Sequence, residues 1–203
     1  MNKISTITIL LALTACASNA PVSTISSHYQ PENQARVRLY GQNGHPTIAT
    51  YGIDCSNGKK GIKINVGGGM GDALGSFVGA VSSKSIGIPE TEISKTIGSQ
   101  NGVLSKAFFQ EIVVPANKAV NAMSAIAATP PSTSVSYTQT HKITRTTYYN
   151  NGCQSKVGSF IPEAGHDYEV VGTKGSCGIA VYDIATDGSI TPVELGNEVV
   201  CSK

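Results

Sequence analysis

From Ala35 onward the chain is written largely in period two. Ala35, Val37 and Leu39 alternate with Arg36, Arg38 and Tyr40, the spacing of a half-buried strand. The alternation returns in Thr47 to Cys55 through Ala49, Tyr51, Ile53 and Cys55, and in Gly61 to Val66 through Ile62, Ile64 and Val66. Strand patterns follow at Ala107 to Val114 and Ala119 to Ile126. Ser134 to Tyr149 reads as one long Thr- and Tyr-rich strand, bent or at an edge. Cys153 to Ile161, Asp167 to Thr173, Cys177 to Ala185 and Ile190 to Leu195 complete the series. Turn chemistry separates the runs at Gln42-Asn43-Gly44, Ser56-Asn57-Gly58, Asn150-Asn151-Gly152 and Thr186-Asp187-Gly188-Ser189, where Asn, Asp and Gly tolerate tight turns. About nine or ten short strands at this spacing predict an all-β domain, an antiparallel two-sheet sandwich. The 22 glycines and absence of Trp agree with a loop-rich β chain.

One stretch breaks the pattern. Gly67-Gly68-Gly69 opens a Gly-rich insertion, residues 67–102, that is neither a clean strand nor a clean helix. Met70, Leu74, Phe77, Val78 and Val81 fall at helical spacing, while Gly71, Gly75 and Gly79 recur every fourth residue. A closed loop packed on itself ranks first, a short helix on the sheet second and a membrane-inserting zipper third. Asp72 and the cost of Gly in a helix, about 1 kcal/mol each, count against the last two. Segments this long without evident structure are commonly functional. Ser85, Ile86, Gly87, Ile88 and Pro89 are therefore the candidate partner-contact loop.

Ahead of the strands, Lys3 supplies a charged n-region and Ile4 to Ala15 an apolar run, followed by small residues. This is a secretory signal, about a dozen residues long where a bilayer span needs roughly 20. The residues Leu13-Thr14-Ala15-Cys16 resemble the lipobox of bacterial lipoproteins. The resemblance implies cleavage before Cys16, diacylglycerol on its sulfur and usually a further acyl chain, such as palmitate, on its nitrogen. Ala17, rather than Asp, implies an outer-membrane address, with periplasmic and surface orientations both open. Residues 16–34 then form a lipidated, polar, flexible tether, and residues 35–203 a single domain. Val114-Pro115-Ala116-Asn117-Lys118 and Phe160 to Glu169 resemble segments of small Gram-negative lipoproteins with a PEGA-like or transthyretin-like sandwich. The Gly67 to Gly79 run and Ser85 to Pro89 resemble the same group, and no activity comes with the likeness.

Cys55, Cys153, Cys177 and Cys201 remain. An even count in an exported chain reads as two disulfides, with three possible connectivities. If Cys153 to Ile161 and Asp167 to Thr173 form a hairpin with Ile161 facing Asp167, Cys153 lies opposite about position 175. That favours Cys153–Cys177 and leaves Cys55–Cys201. No C-x-x-C spacing suggests zinc or redox chemistry.

With 15 Lys and Arg against 13 Asp and Glu the chain carries a formal +2, and +1 once Lys3 leaves with the signal. No basic stripe supports nucleic-acid binding. His28, His45, His141 and His166 fall in no metal or nucleophile motif. His166 and Asp167 are neighbours, but adjacent strand residues point to opposite faces. Glu90 with Glu92, and Glu163 with Asp167, are the close carboxylate pairs in loops. No catalytic residue, metal or cofactor is assigned. The expected function is a non-catalytic, outer-membrane-anchored module that binds a protein of the envelope. The alternatives are an inhibitor or immunity-type lipoprotein that blocks a hydrolase or phage, and an enzyme acting on cell wall or glycan. Glu163, His166, Asp167 and Tyr168 gathered in a deep pocket would favour the enzyme.

Overall fold

Strand β1 (Gln34–Gln42) organises the domain because both of its faces are buried. Ala35, Val37 and Leu39 are fully enclosed on one side, and Arg38 and Tyr40 on the other. The expectation of a half-buried strand is thus corrected: the polar face is covered, and its charges are paired beneath the cover. The computed structural model describes residues 29–68, 83–101, 105–128, 132–137, 141–147, 152–173 and 177–202. Cys16, the signal, the tether up to residue 28, residues 69–82 and Gly102 of the Gly-rich insertion, and Asn150 and Asn151 lie outside them.

On one side β1 pairs antiparallel with β4 (Ala107–Pro115), from Gln34 opposite Pro115 to Gln42 opposite Ala107. On the other it pairs with β10 (Asp167–Gly172), Arg36 beside Asp167 and Arg38 beside Glu169. This second pairing is parallel, whereas every other pairing between the described strands is antiparallel. The cause is a crossover, since the strand preceding β10 belongs to the opposite sheet. Strands β11 (Ile179–Ile184) and β12 (Ile190–Pro192) continue the first sheet beyond β10.

The second sheet contains β2 (Thr47–Tyr51), β3 (Ile62–Val66), β5 (Val120–Ile126), β9 (Gly158–Phe160) and β13 (Gly196–Asn197), in the order β13-β9-β5-β2-β3. The two-residue β8 (Cys153–Gln154) also pairs with β5. Period two places Ala49, Tyr51, Val66, Val120 and Ala122 of this sheet against Val37, Leu39, Ile112, Val114, Val170 and Val181 of the first. Phe160 and Tyr168 meet across the sheets with ring centroids 5.3 Å apart. The disulfide-braced, all-β sandwich is the fold.

Three local expectations change. First, the Thr-rich run is not one strand. Its described part is the hairpin β6 (Ser132–Tyr137) and β7 (Lys142–Thr147), which ends in the pair Tyr137 and Lys142. Second, a helix is present, but within the segment expected to be loop. It is α1 (Glu92–Thr96), started by a reciprocal cap in which Thr91 Oγ1 accepts from Ser94 N and Ser94 Oγ accepts from Thr91 N. Glu92 in its first turn and Lys95 in its last suit the helix dipole.

Third, Cys153 to Ile161 does not fold back on Asp167 to Thr173. Strand β9 pairs with β5 and β13, and β10 with β1 and β11. The bridges are nevertheless Cys153–Cys177 and Cys55–Cys201. The first joins β8 on the second sheet to the approach to β11 on the first, so it ties sheet to sheet. The second ties the 3-10 turn after β2 to the chain beyond β13.

With sequence separations of 24 and 146, loop-closure entropy gives about 3 kcal/mol for the shorter bridge and about 5 kcal/mol for the longer. Urea unfolding of the paired alanine variants should therefore show the larger loss for Cys55→Ala with Cys201→Ala. The reverse order would mean that the sheet-to-sheet bridge contributes beyond chain entropy.

Candidate functional site

The outer face of the first sheet holds most of the buried charge. Alternation along β1 sends Arg36, Arg38 and Tyr40 to this face, and register brings Glu111 of β4 and Asp167 and Glu169 of β10 beside them. Arg38 is 1% exposed and Glu169 is fully enclosed. Arg38 donates from Nε to Glu111 Oε1 at 2.9 Å, from Nη2 to the Ile88 carbonyl at 3.0 Å and from Nη1 to the Pro89 carbonyl at 3.0 Å. Its Nη2 lies 2.7 Å from Glu111 Oε1, and its guanidinium stands over the Phe109 ring at 4.8 Å. Arg36 forms a fork with Asp167, both contacts at 2.7 Å.

Residues 83–101 lie over these charges as a strap. The candidate partner-contact loop is the part that touches them. Ser85 Oγ donates to Glu111 Oε2 at 3.0 Å, the Ile86 N–H donates to the same oxygen at 2.6 Å, and the Ile86 carbonyl accepts from Arg36 at 3.3 Å. Ile88 is buried, Ile86 and Pro89 are half-buried, and Ser85 and Gly87 are exposed. Gly87 has φ +104°, and a Cβ there would stand 2.9 Å from Arg36 Nη1, so the strap's approach requires glycine. Further along, Thr91 and Tyr40 both donate to Glu169 Oε2 at 2.8 Å. Glu169 Oε1 is buried without a protein hydrogen-bond partner. Burial, then the neighbouring Glu169, pushes the Tyr40 hydroxyl well above its ordinary range. The arrangement stores ion pairs out of water and fastens the strap.

The second candidate cluster does not converge. His166 Nδ1 lies 2.7 Å from Asp183 Oδ2, and its Nε2 3.6 Å from Glu163 Oε2. Both side chains are open to solvent, His166 at 44% and Glu163 at 74%. Asp167 turns to the opposite face, onto Arg36. The Tyr168 hydroxyl accepts from the Glu163 N–H at 3.0 Å and is pushed up to about 12, mainly by burial. The hydrogen bond to Asp183 raises His166 above its ordinary value. Glu90 and Glu92 are both exposed on the strap, and Glu92 pairs with Lys95 at 2.9 Å.

An open cavity of about 270 Å³ lies at the far end of the strap, lined among others by Tyr40, Gln42, His45, Gln100, Ser124 and Val171. It contains none of the sequence-assigned site residues. Among the described residues no group of three or more His, Cys, Asp and Glu could hold a metal ion.

Sequence reasoning missed Arg38, Glu111 and Glu169 as one unit. The available signal was a charge near the middle of each of three strands, but strand order alone reveals that they meet. Compared with known proteins, the chain matches no family model, no curated protein and no solved structure.

Arg38→Ala should cost about 3–5 kcal/mol, because it leaves buried carboxylate and carbonyl groups unpaired. Urea unfolding reads the loss, and amide exchange over 83–101 should accelerate with it. Unchanged stability would mean that the strap holds without the guanidinium. For His166 the raised folded value means a stabilisation present below about 6.5 that fades as pH rises through the folded midpoint. Asp183→Asn should bring the NMR titration midpoint of His166 down; an unmoved midpoint would rule out Asp183 as the cause.

Proposed function

We propose that this chain is an outer-membrane lipoprotein, held by acyl chains on Cys16, whose disulfide-braced sandwich is a non-catalytic binding module for a protein of the cell envelope. The observation that carries the reading is Leu13-Thr14-Ala15-Cys16 closing a short apolar run behind Lys3. Each buried CH₂ adds about 0.8 kcal/mol, so two or three acyl chains make attachment effectively permanent where one is marginal. Two disulfides support export, because such bridges persist in oxidising compartments.

Tyr29, the first described residue and part of the expected tether, stacks on Arg36 of the body with the guanidinium 4.8 Å from the ring centroid. Residues 17–28 separate it from Cys16 and could span at most about 40 Å fully extended. That reach suits a domain standing close to its membrane. The solvent-facing turn at Glu163 and His166 favours a binding module over glycan hydrolysis, which needs two carboxyl groups flanking one bond. On this reading the outward side of the strap, at Ser85 and Gly87, is one partner-facing surface.

Cells expressing the chain and fed an alkyne-tagged palmitate should label it, and Cys16→Ser should abolish the label and release the body from the membrane fraction. An exported chain without acyl mass on Cys16 would overturn the proposal.

A further inference from the structure

The hairpin β6–β7 differs from the rest of the chain in both contact and charge. Neither strand has a second strand neighbour among the described residues. Every described side chain from Thr133 to Thr146 is exposed, including Val135 at 44%, Tyr137 at 76% and Ile143 at 50%. A two-stranded hairpin with no third strand and no layer beneath it is marginal in water. Cross-strand register puts Val135, Tyr137 and Lys142 on one face, and Ile143 with Arg145 on the other.

The charge here has one sign. From Ile112 to Pro162 the chain has no Asp or Glu, while Lys118, Lys142, Arg145 and Lys156 fall within that interval. Neither Lys142 nor Arg145 takes part in a salt bridge among the described residues. All the acidic residues of the molecule lie outside this interval.

Three occupants could complete such a hairpin, and they place different demands on it. A bilayer core would leave the open strand edges without hydrogen-bond partners, which hydrocarbon does not supply. A second copy would bring Lys142 and Arg145 against their own likes, and cationic edges ordinarily oppose such pairing. An extended acidic segment satisfies the free backbone edge and the unpaired cations together, which is strand addition with charge matching.

We propose that the β6–β7 hairpin captures an extended acidic segment of a partner protein as a third strand along β7. Lys142 and Arg145 are three positions apart and therefore point to opposite faces, so the matching carboxylates on the added strand are also three apart. Val135, Tyr137 and Ile143 supply apolar contact beside them. The inference rests on the reading of the body as a binding module but does not depend on lipid at Cys16.

The test uses the purified full chain carrying Cys16→Ser and a fluorescent ten-residue peptide of Thr and Val with two Glu three positions apart. Anisotropy should show binding of this peptide and not of its Lys-for-Glu counterpart, and amide exchange should slow over 142–147. Lys142→Glu with Arg145→Glu should weaken the acidic peptide by roughly tenfold and transfer binding to the Lys peptide, a gain that misfolding would not produce. Three outcomes would overturn the proposal: no binding, binding indifferent to the charge reversal, or protection outside the hairpin. Phosphatidylglycerol vesicles alone slowing the same amides would assign the surface to membrane, and slowing with protein concentration alone would assign it to a second copy. Either result also overturns it. Palmitate labelling of Cys16 reads the anchor separately, so failure here leaves that result standing.

Discussion

A guanidinium that is 1% exposed must find acceptors before the face it stands on can close. Arg38 meets this requirement with groups from two places, a carboxylate on β4 and two carbonyls on the strap, with Glu169 on β10 at 3.8 Å. Removing a charge from water costs several kcal/mol, recovered only when geometry and hydrogen bonding are both good. The central three strands and the strap are therefore interdependent. With β10 out of register, Glu169 leaves Tyr40 and Thr91; with the strap lifted, Arg38 and Glu111 face water. A hydrophobic face would tolerate a sliding cover, whereas this one specifies which residues of 83–101 sit where.

The core was legible because period two states which residues share a face, and Ala35, Val37 and Leu39 do so on β1. What lies on the second face was not legible. Alternation with Arg36 and Arg38 looks the same whether those side chains end in water or in carboxylates, and only strand order decides between them. The cystine pairing shows the same gap. Counting along a hairpin between residues 153 and 173 indicated the correct partners by a pairing that the structure does not contain. Proximity of Cys153 to Cys177 arises where the sheets meet, through β8 and the approach to β11. The helix at Glu92 was hidden for another reason: five residues are too few to show a 3.6 period. Its one local sign is the Thr91 and Ser94 cap, a weaker form of the familiar Thr-x-x-Glu box.

The candidate site was legible only in part. Ser85 to Pro89 was singled out because a long irregular segment in a compact domain usually has a task. Its inward task is internal, to cap Arg36, Arg38 and Glu111. The Glu163 to Tyr168 stretch divides as strand geometry requires, with His166 on Asp183 at an open turn and Asp167 on Arg36 under the strap. Neighbours in sequence thus serve separate ends, one at the surface and one inside. The carboxylates nearest to each other along the chain are not the ones that matter most; Glu111 and Glu169, 58 positions apart, are.

The placement of charge connects the body to its surroundings. Where this molecule buries cations it surrounds them: each nitrogen of the Arg38 guanidinium donates to the protein, and Arg36 is held by a two-point fork. Where it leaves cations exposed on β7, carboxylates are missing from the interval around them. These are different solutions to one electrostatic problem. Inside, the partner must be covalently part of the chain, because desolvation is repaid only if the counter-ion is always present. Outside, water screens Lys142 and Arg145 at little cost, so their counter-ions need not be built in and can arrive on another molecule. A strand edge adds what charge alone lacks, a directional ladder of hydrogen bonds that accepts a chain in one register and excludes a diffuse anion. On those grounds the acid-free hairpin joins the outward side of the strap as a surface that the proposed binding role can use.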